Sequence, residues 1–410
     1  MRIHIERNKR NALIGYSILL MLLCLFISRA ALSVSMIIFL ALTLVHKNLL
    51  LQLRSFIQNK FLLSISLLFF IPFVSYFWSN NTTEWLDISR IKIPLLLFPV
   101  AFAGSWQLTT TQWKTIANGF LVIVFLATVW SFGQYLLDIE GFNEGYLRSK
   151  TILTPLEDDH VRFSWLVSFA VLLCLVLIHL GSRFKMVYIL TMIFFAVYLH
   201  VLSARMGLFS FYILLFMYAS WLLLKQKNTK LSLIALAGLL LLPLISWWML
   251  PTFRHRIQYF LYDLSFVRND TYVSGSNDGT RIQSLKAGWA LLKENPLGVG
   301  AGDLKASIFT WYKVHVPAMQ PGEMFLPCSE WLVYGGFAGW PAVILLSVIM
   351  AIPFFIKDLK HRMFWVTLHT ITAFSFIFDM IIEAQYGVFI YSIIVLWWWK
   401  WFQINKQHES

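Results

Sequence analysis

Hydrophobic residues run along this chain in long unbroken stretches, not in the one-sided stripes of a surface helix or the alternation of a half-buried strand. Stretches of about 17–25 residues, the length needed to cross a hydrocarbon core, recur from one end to the other. They place helices near 12–29, 31–46, 61–78, 93–106, 118–138, 163–181, 186–203, 206–224, 231–250, 331–356, 364–382 and 386–402. The second and fourth are short and fit a tilted or re-entrant segment. Two polar interruptions are long: residues 139–162 and residues 251–330, the one region of ordinary soluble composition. Inside the second, Ile282, Leu285, Trp289 and Leu292 recur at helical spacing until Asn295-Pro296 breaks the pattern. The pattern predicts an all-α polytopic membrane protein of about 12 transmembrane helices, with a large loop before the last three. Residues 1–250 carry nine spans and a loop near 139–162; 251–330 form the large, partly helical loop; 331–410 carry the last spans and a short tail.

Composition agrees and charge adds sidedness. Of 410 residues, 59% are hydrophobic and 13% charged, whereas a soluble domain carries about 25% charged residues. Alternate loops differ in sign. The face that would hold both termini has 18 of the 33 Lys and Arg residues against Glu6, Asp358 and Glu409, and the other face has 15 basic and 17 acidic residues. Cytoplasmic loops collect Lys and Arg, so both termini and the basic loops are predicted cytoplasmic and 139–162 and 251–330 external. The net charge of +13 is then a topology signal that calls for no nucleic acid. The basic start and the apolar run 11–27 resemble a signal peptide, but further spans follow, so this is read as an uncleaved first helix. Trp247-Trp248 and Trp397-Trp398-Trp399 end apolar runs, where an aromatic belt would place them. Cys24 and Cys174 lie in apolar runs and Cys328 alone in a loop, so no disulfide framework can be drawn.

Three arginines stand where the external loops meet the spans: Arg162 in EDDHVRFSWL, Arg205 in LSARMGLFSF and Arg281 in GTRIQSLKAGWALLKENPLGVGAGD. An arginine at membrane depth is costly unless it meets a cavity or a partner, although a snorkelling interface anchor reads the same. Arg281 opens its helical stretch at the end that disfavours a cation. Together they fit an anion gripped bidentately, a task that suits guanidinium better than ammonium. Glu157, Asp158, Asp159 and His160 precede Arg162 and are read either as acid–base or cation-holding chemistry or as a solvated acidic loop. GVGAGD lacks the preceding strand and following helix of a dinucleotide loop and is read as a turn.

These blocks, with PCSEWLVYGGFAGW at 327–340, EDDHVRFS and EAQYGVFIY, resemble the O-antigen ligase/polymerase superfamily of bacterial envelope glycan assembly, over about residues 150–395. The resemblance implies an inner-membrane enzyme without metal or cofactor. It would move a glycan from an undecaprenyl-diphosphate carrier to an acceptor hydroxyl, lipid A–core in the O-antigen case. It puts Arg205 and Arg281 on the arginines that bind the diphosphate, and Arg162 joins them from the residues above. The family's Pro-His-Asn-x-aromatic-Leu pattern falls on residues 327–332, so Cys328 stands where a general-base histidine is expected. A thiol, with a pKa of about 8.5, is a poor base at neutral pH. Glu330, His315 and His160 are therefore the alternative candidates for the proton. Joining lipid-linked repeat units, as the superfamily's polymerases do, is the alternative reaction. A lipid-linked glycan transporter is the alternative of another class, disfavoured because ionisable groups gather at one face and not at the midplane.

Overall fold

The computed structural model describes the backbone of residues 2–148, 150–269 and 271–403 and the side chains from Lys9 onward. The charges of Arg2, Glu6, Arg7, Asp270, Lys406 and Glu409 in the counts above lie outside it. Helices make up the fold, and among the described residues only an isolated Leu359–Gln403 bridge is extended pairing.

Each predicted apolar segment coincides with a helix: α1 (Arg2–Cys24), α2 (Arg29–Leu44), α4 (Lys60–Val74), α5 (Thr82–Phe102), α6 (Thr110–Leu137), α8 (His160–His179), α9 (Lys185–Leu202), α10 (Arg205–Leu224), α11 (Thr229–Met249), α15 (Glu330–Phe355), α16 (Arg362–Phe378) and α17 (Gln385–Phe402). Seven are long and apolar enough to cross a membrane: α4 with the turn after it, α6, α8, α9, α10, α11 and α15. An eighth is added if α2 and the following α3 (Leu49–Gln58), which meet at a 102° bend, form one broken span. The other predicted segments are helical but fall short on length or apolar character. Thus α16 has 17 residues, and α5 begins at Thr82 instead of near 93, taking in Glu84, Asp87, Arg90 and Lys92.

The loop near 139–162 contains α7 (Ile139–Tyr146), and the large loop is more ordered than its pattern implied. It holds α12 (Pro251–Arg268), α13 (Asn277–Glu294) and α14 (Leu304–His315), of which only α13 was legible as periodicity. Asn295 to Val299 then docks into a break in α15. There Gly339 takes a φ of 68°, its missing Cβ leaves room for the Pro296 carbonyl, Trp340 N donates to Pro296 O (2.9 Å) and Val299 N donates to Gly336 O (2.9 Å). GVGAGD is a turn: Gly298 and Gly300 have positive φ, and Asp303 accepts the backbone N–H groups of Asn80 (2.7 Å) and Asn81 (3.2 Å).

In lipid an apolar side chain gains little by burial, and small polar residues mediate close helix packing. α11 shows this inversion: it exposes Leu233, Ile234, Leu240, Leu241, Leu244 and Ile245 and buries Ser232 and Ser246, with Ser232 Oγ donating to Ala219 O on α10 (2.9 Å). The centre is α8 and α17, which bury nearly every residue. Trp397, Trp398 and Trp399 belong to that core and not to an aromatic belt, whereas Trp248 is exposed. The described ion pairs run from Arg29–Glu157 to Lys305–Glu84 and include Lys92, inside α5, with Glu383.

Candidate functional site

One cavity of about 300 Å³ gathers most of the predicted site. Its walls include His160, Arg162, Arg205, Arg281 and Cys328, with Asp159, Arg256, Asp379 and Met380. Six separate stretches of chain meet there, and local structure explains how each side chain is aimed.

Leu156, Glu157 and Asp158 are consecutively left-handed, with φ of 65°, 58° and 64°. The left-handed conformation costs a non-glycine residue about 1–2 kcal/mol, and such outliers persist where surrounding structure over-determines them. Asp158 Oδ1 accepts Thr154 N (3.1 Å), and the turn delivers Asp159 to the start of α8. Asp159 caps that helix by accepting Arg162 N (3.0 Å) and also accepts Arg162 Nη1 (2.5 Å). Arg162 Nε donates to Ile381 O (2.8 Å) and Nη2 to Met380 O (2.7 Å), so this guanidinium ties α8 to the turn between α16 and α17. Gly387 makes the approach possible, because a Cβ there would lie 2.6 Å from Arg162 Nε.

Arg205 is the first residue of α10, after Ser203 at a φ of 51° and Ala204, which supplies no side-chain cap. Helix N-termini present uncapped N–H groups and favour anions, so a cation there needs a partner. Both terminal nitrogens of Arg205 donate to the Asp278 carboxylate, Nη2 at 2.5 Å from Oδ2. Asp278 lies in the first turn of α13, where an acid suits the helix dipole. One turn on, Arg281 Nη2 donates to Asp379 Oδ2 (2.7 Å). Burial works against the Arg281 charge, but Asp379 beside it, Cys328 and Asp278 together outweigh burial and raise the guanidinium above its ordinary value. Ser284 Oγ joins this arginine to the cysteine, donating to Arg281 O (2.7 Å) while accepting Cys328 N (3.1 Å). Burial pushes the Cys328 thiol up to about 11 despite the opposing pull of Arg281, so it is protonated at neutral pH.

Two predicted residues stand apart. His315, at the end of α14, is exposed and stacks on Trp311 (ring centroids 4.5 Å). Glu330 is fully buried and does not line the cavity. Its Oε1 accepts Ile382 N (2.6 Å), while Lys92 Nζ donates to Ile382 O (3.1 Å) and to Glu383 Oε1 (2.5 Å). Glu330 and Lys92 thus clamp, from behind, the turn whose Met380 and Ile381 carbonyls receive Arg162. Sequence reasoning missed Lys92, because a span placed at 93–106 makes it a boundary residue. It also missed Arg256, whose helix α12 opens a stretch that reads as polar loop. Among the described residues no group of three His, Cys, Asp or Glu side chains could hold a metal ion.

No family model matches the chain, and no curated protein matches it. The resemblance to the O-antigen ligases and polymerases therefore rests on the sequence motifs alone.

Proposed function

We propose that this is a bacterial inner-membrane glycosyltransferase, multi-pass with both termini cytoplasmic and about a dozen spans, whose cavity faces the periplasm. It takes a glycan from an undecaprenyl-diphosphate carrier and transfers it to the hydroxyl of a glycolipid or glycan acceptor, such as lipid A–core. The observation that carries this reading is the convergence of Arg162, Arg205 and Arg281, successive arginines 43 and 76 positions apart in the chain, with His160 and Cys328 on one cavity.

In the reaction the acceptor oxygen bonds to the anomeric carbon, the bond from that carbon to the diphosphate oxygen breaks, and the carrier leaves as undecaprenyl diphosphate. Guanidinium groups already in place stabilise the charge that grows on the leaving group without reorganising. The hydroxyl proton goes to His160, the histidine that lines the cavity. Cys328, neutral and buried, is unsuited to take it. His160→Gln is expected to lower transfer by about 10²–10⁴-fold, the usual worth of a placed base, with Cys328→Ser largely active. The reverse result would remove His160 from the role.

Cys328 in place of the ligase histidine keeps the polymerase reading as the second one. A strain lacking the protein decides between them. Long carrier-linked glycan identifies a ligase, single carrier-linked repeats identify a polymerase, and an unchanged carrier-linked pool overturns both.

A further inference from the structure

Four arginines line the cavity, and three already have a carboxylate each: Arg162 with Asp159, Arg205 with Asp278 and Arg281 with Asp379. These pairs are neutral as units. The fourth, Arg256, is different. It is 7% exposed, and its Nε and Nη1 are buried with no hydrogen-bond partner among the described residues. Its guanidinium lies 5.3 Å from the centre of the Tyr146 ring, whose hydroxyl is occupied in donating to Leu202 O (2.7 Å). Burial lowers Arg256 from its ordinary value and Arg205 adds repulsion, which Tyr146 and the nearby Asp278 oppose without cancelling, the opposite of the net shift at Arg281.

A ring face offers a cation only partial compensation. A buried guanidinium without a carboxylate or hydrogen-bond acceptors costs far more than an ordinary hydrogen bond returns. The fold nevertheless brings this side chain to the same wall as the three neutral pairs. Of the four arginines Arg256 is therefore the one with no carboxylate bonded to it, and an arriving anion meets unsatisfied guanidinium donors there.

We propose that Arg256 is the primary anion contact of the cavity, gripping a phosphate of a prenyl-diphosphate ligand while the three paired arginines hold the walls that orient it. This rests on the diphosphate reading above and names a residue which neither the motifs nor the resemblance single out. Binding of farnesyl diphosphate, farnesyl monophosphate and farnesol to the full-length protein in nanodiscs tests it, at low and high sodium chloride. The wild type is expected to prefer the diphosphate. Arg256→Gln is expected to weaken it about 10- to 100-fold, the worth of one or two charge-assisted hydrogen bonds, and to flatten its salt dependence, which a purely structural residue would leave unchanged. If Arg256→Gln does not purify as a monodisperse species, Arg256→Lys decides. A several-fold loss with the salt dependence kept is expected, and unchanged affinity overturns the proposal. A wild type that binds diphosphate no better than farnesol overturns the diphosphate reading and this inference together. A wild type that prefers diphosphate, with Arg256→Gln equal to it and Arg281→Gln weakened, overturns this inference alone.

Discussion

Replacing Arg281 by alanine should damage the protein in two ways that can be separated. Asp379 is 8% exposed and accepts Arg281 Nη2 at 2.7 Å, with Met380 N–H (2.8 Å) as its other donor. Removing one partner of a fully buried ion pair costs about 3–5 kcal/mol, because the other charge is left unpaired. Arg281 is 25% exposed and Met380 N–H remains, which brings the expected loss for Arg281→Ala to about 2–3 kcal/mol. Asp379→Asn in the same chain removes the stranded charge, so the double variant should recover about 1–2 kcal/mol relative to additivity. Transfer should stay lost, since the guanidinium is still missing. Denaturant titration of purified protein gives the coupling, and glycan transfer in membranes at matched expression gives the activity. Coupling below about 0.5 kcal/mol would mean that the pair contributes nothing. Transfer restored in the double variant would reduce Arg281 to a structural role.

With its thiol at about 11, Cys328 should resist iodoacetamide at pH 7–8 and react as the pH approaches that value, read as labelling lost in Cys328→Ser; fast labelling at pH 8 would contradict its burial. A folded thiol raised above the ordinary value of about 8.5 contributes stability below that pH, and the contribution should fade as pH rises toward about 11. Glu330→Gln should act on the clamp and not on the chemistry, shifting stability while any surviving protein keeps the wild-type pH profile of transfer; an altered profile would return Glu330 to the list of bases. Reporter fusions at Lys227 and at Gly275 should give opposite topological signals, and identical signals would sink the proposed orientation.

Helix positions were legible because apolar length is a strong signal, and the arginines because charge at a span boundary needs a reason. Arg162, Arg205 and Arg281 lie near the starts of α8, α10 and α13, which one end of the bundle brings together. Their pairing was not legible. Asp278 and Asp379 lie 73 and 98 residues from the arginines they neutralise, and no local pattern links them. Glu330 looked like a neighbour of Cys328 two positions away, but the start of α15 turns its carboxylate away from the cavity toward Ile382. Arg256 was hidden because α12 mixes aromatic and charged residues without a clean stripe, and Lys92 because its partner Glu383 is 291 residues distant.

The cavity's walls come from stretches as far apart as Asp159 and Met380, which bears on how the protein is born. A chain still emerging from the ribosome has its first arginine long before the turn that holds it, and the loop helices α12 to α14 emerge before the broken α15 that α13 leans on. Contacts this distant in sequence close late. A truncated chain ending between residues 282 and 378 therefore contains Arg162, Arg205, Arg256 and Arg281 but lacks Asp379, which pairs Arg281, and the Met380 and Ile381 carbonyls that hold Arg162. Such fragments should be inserted yet leave the cavity incomplete, which would delay competence until synthesis is nearly complete.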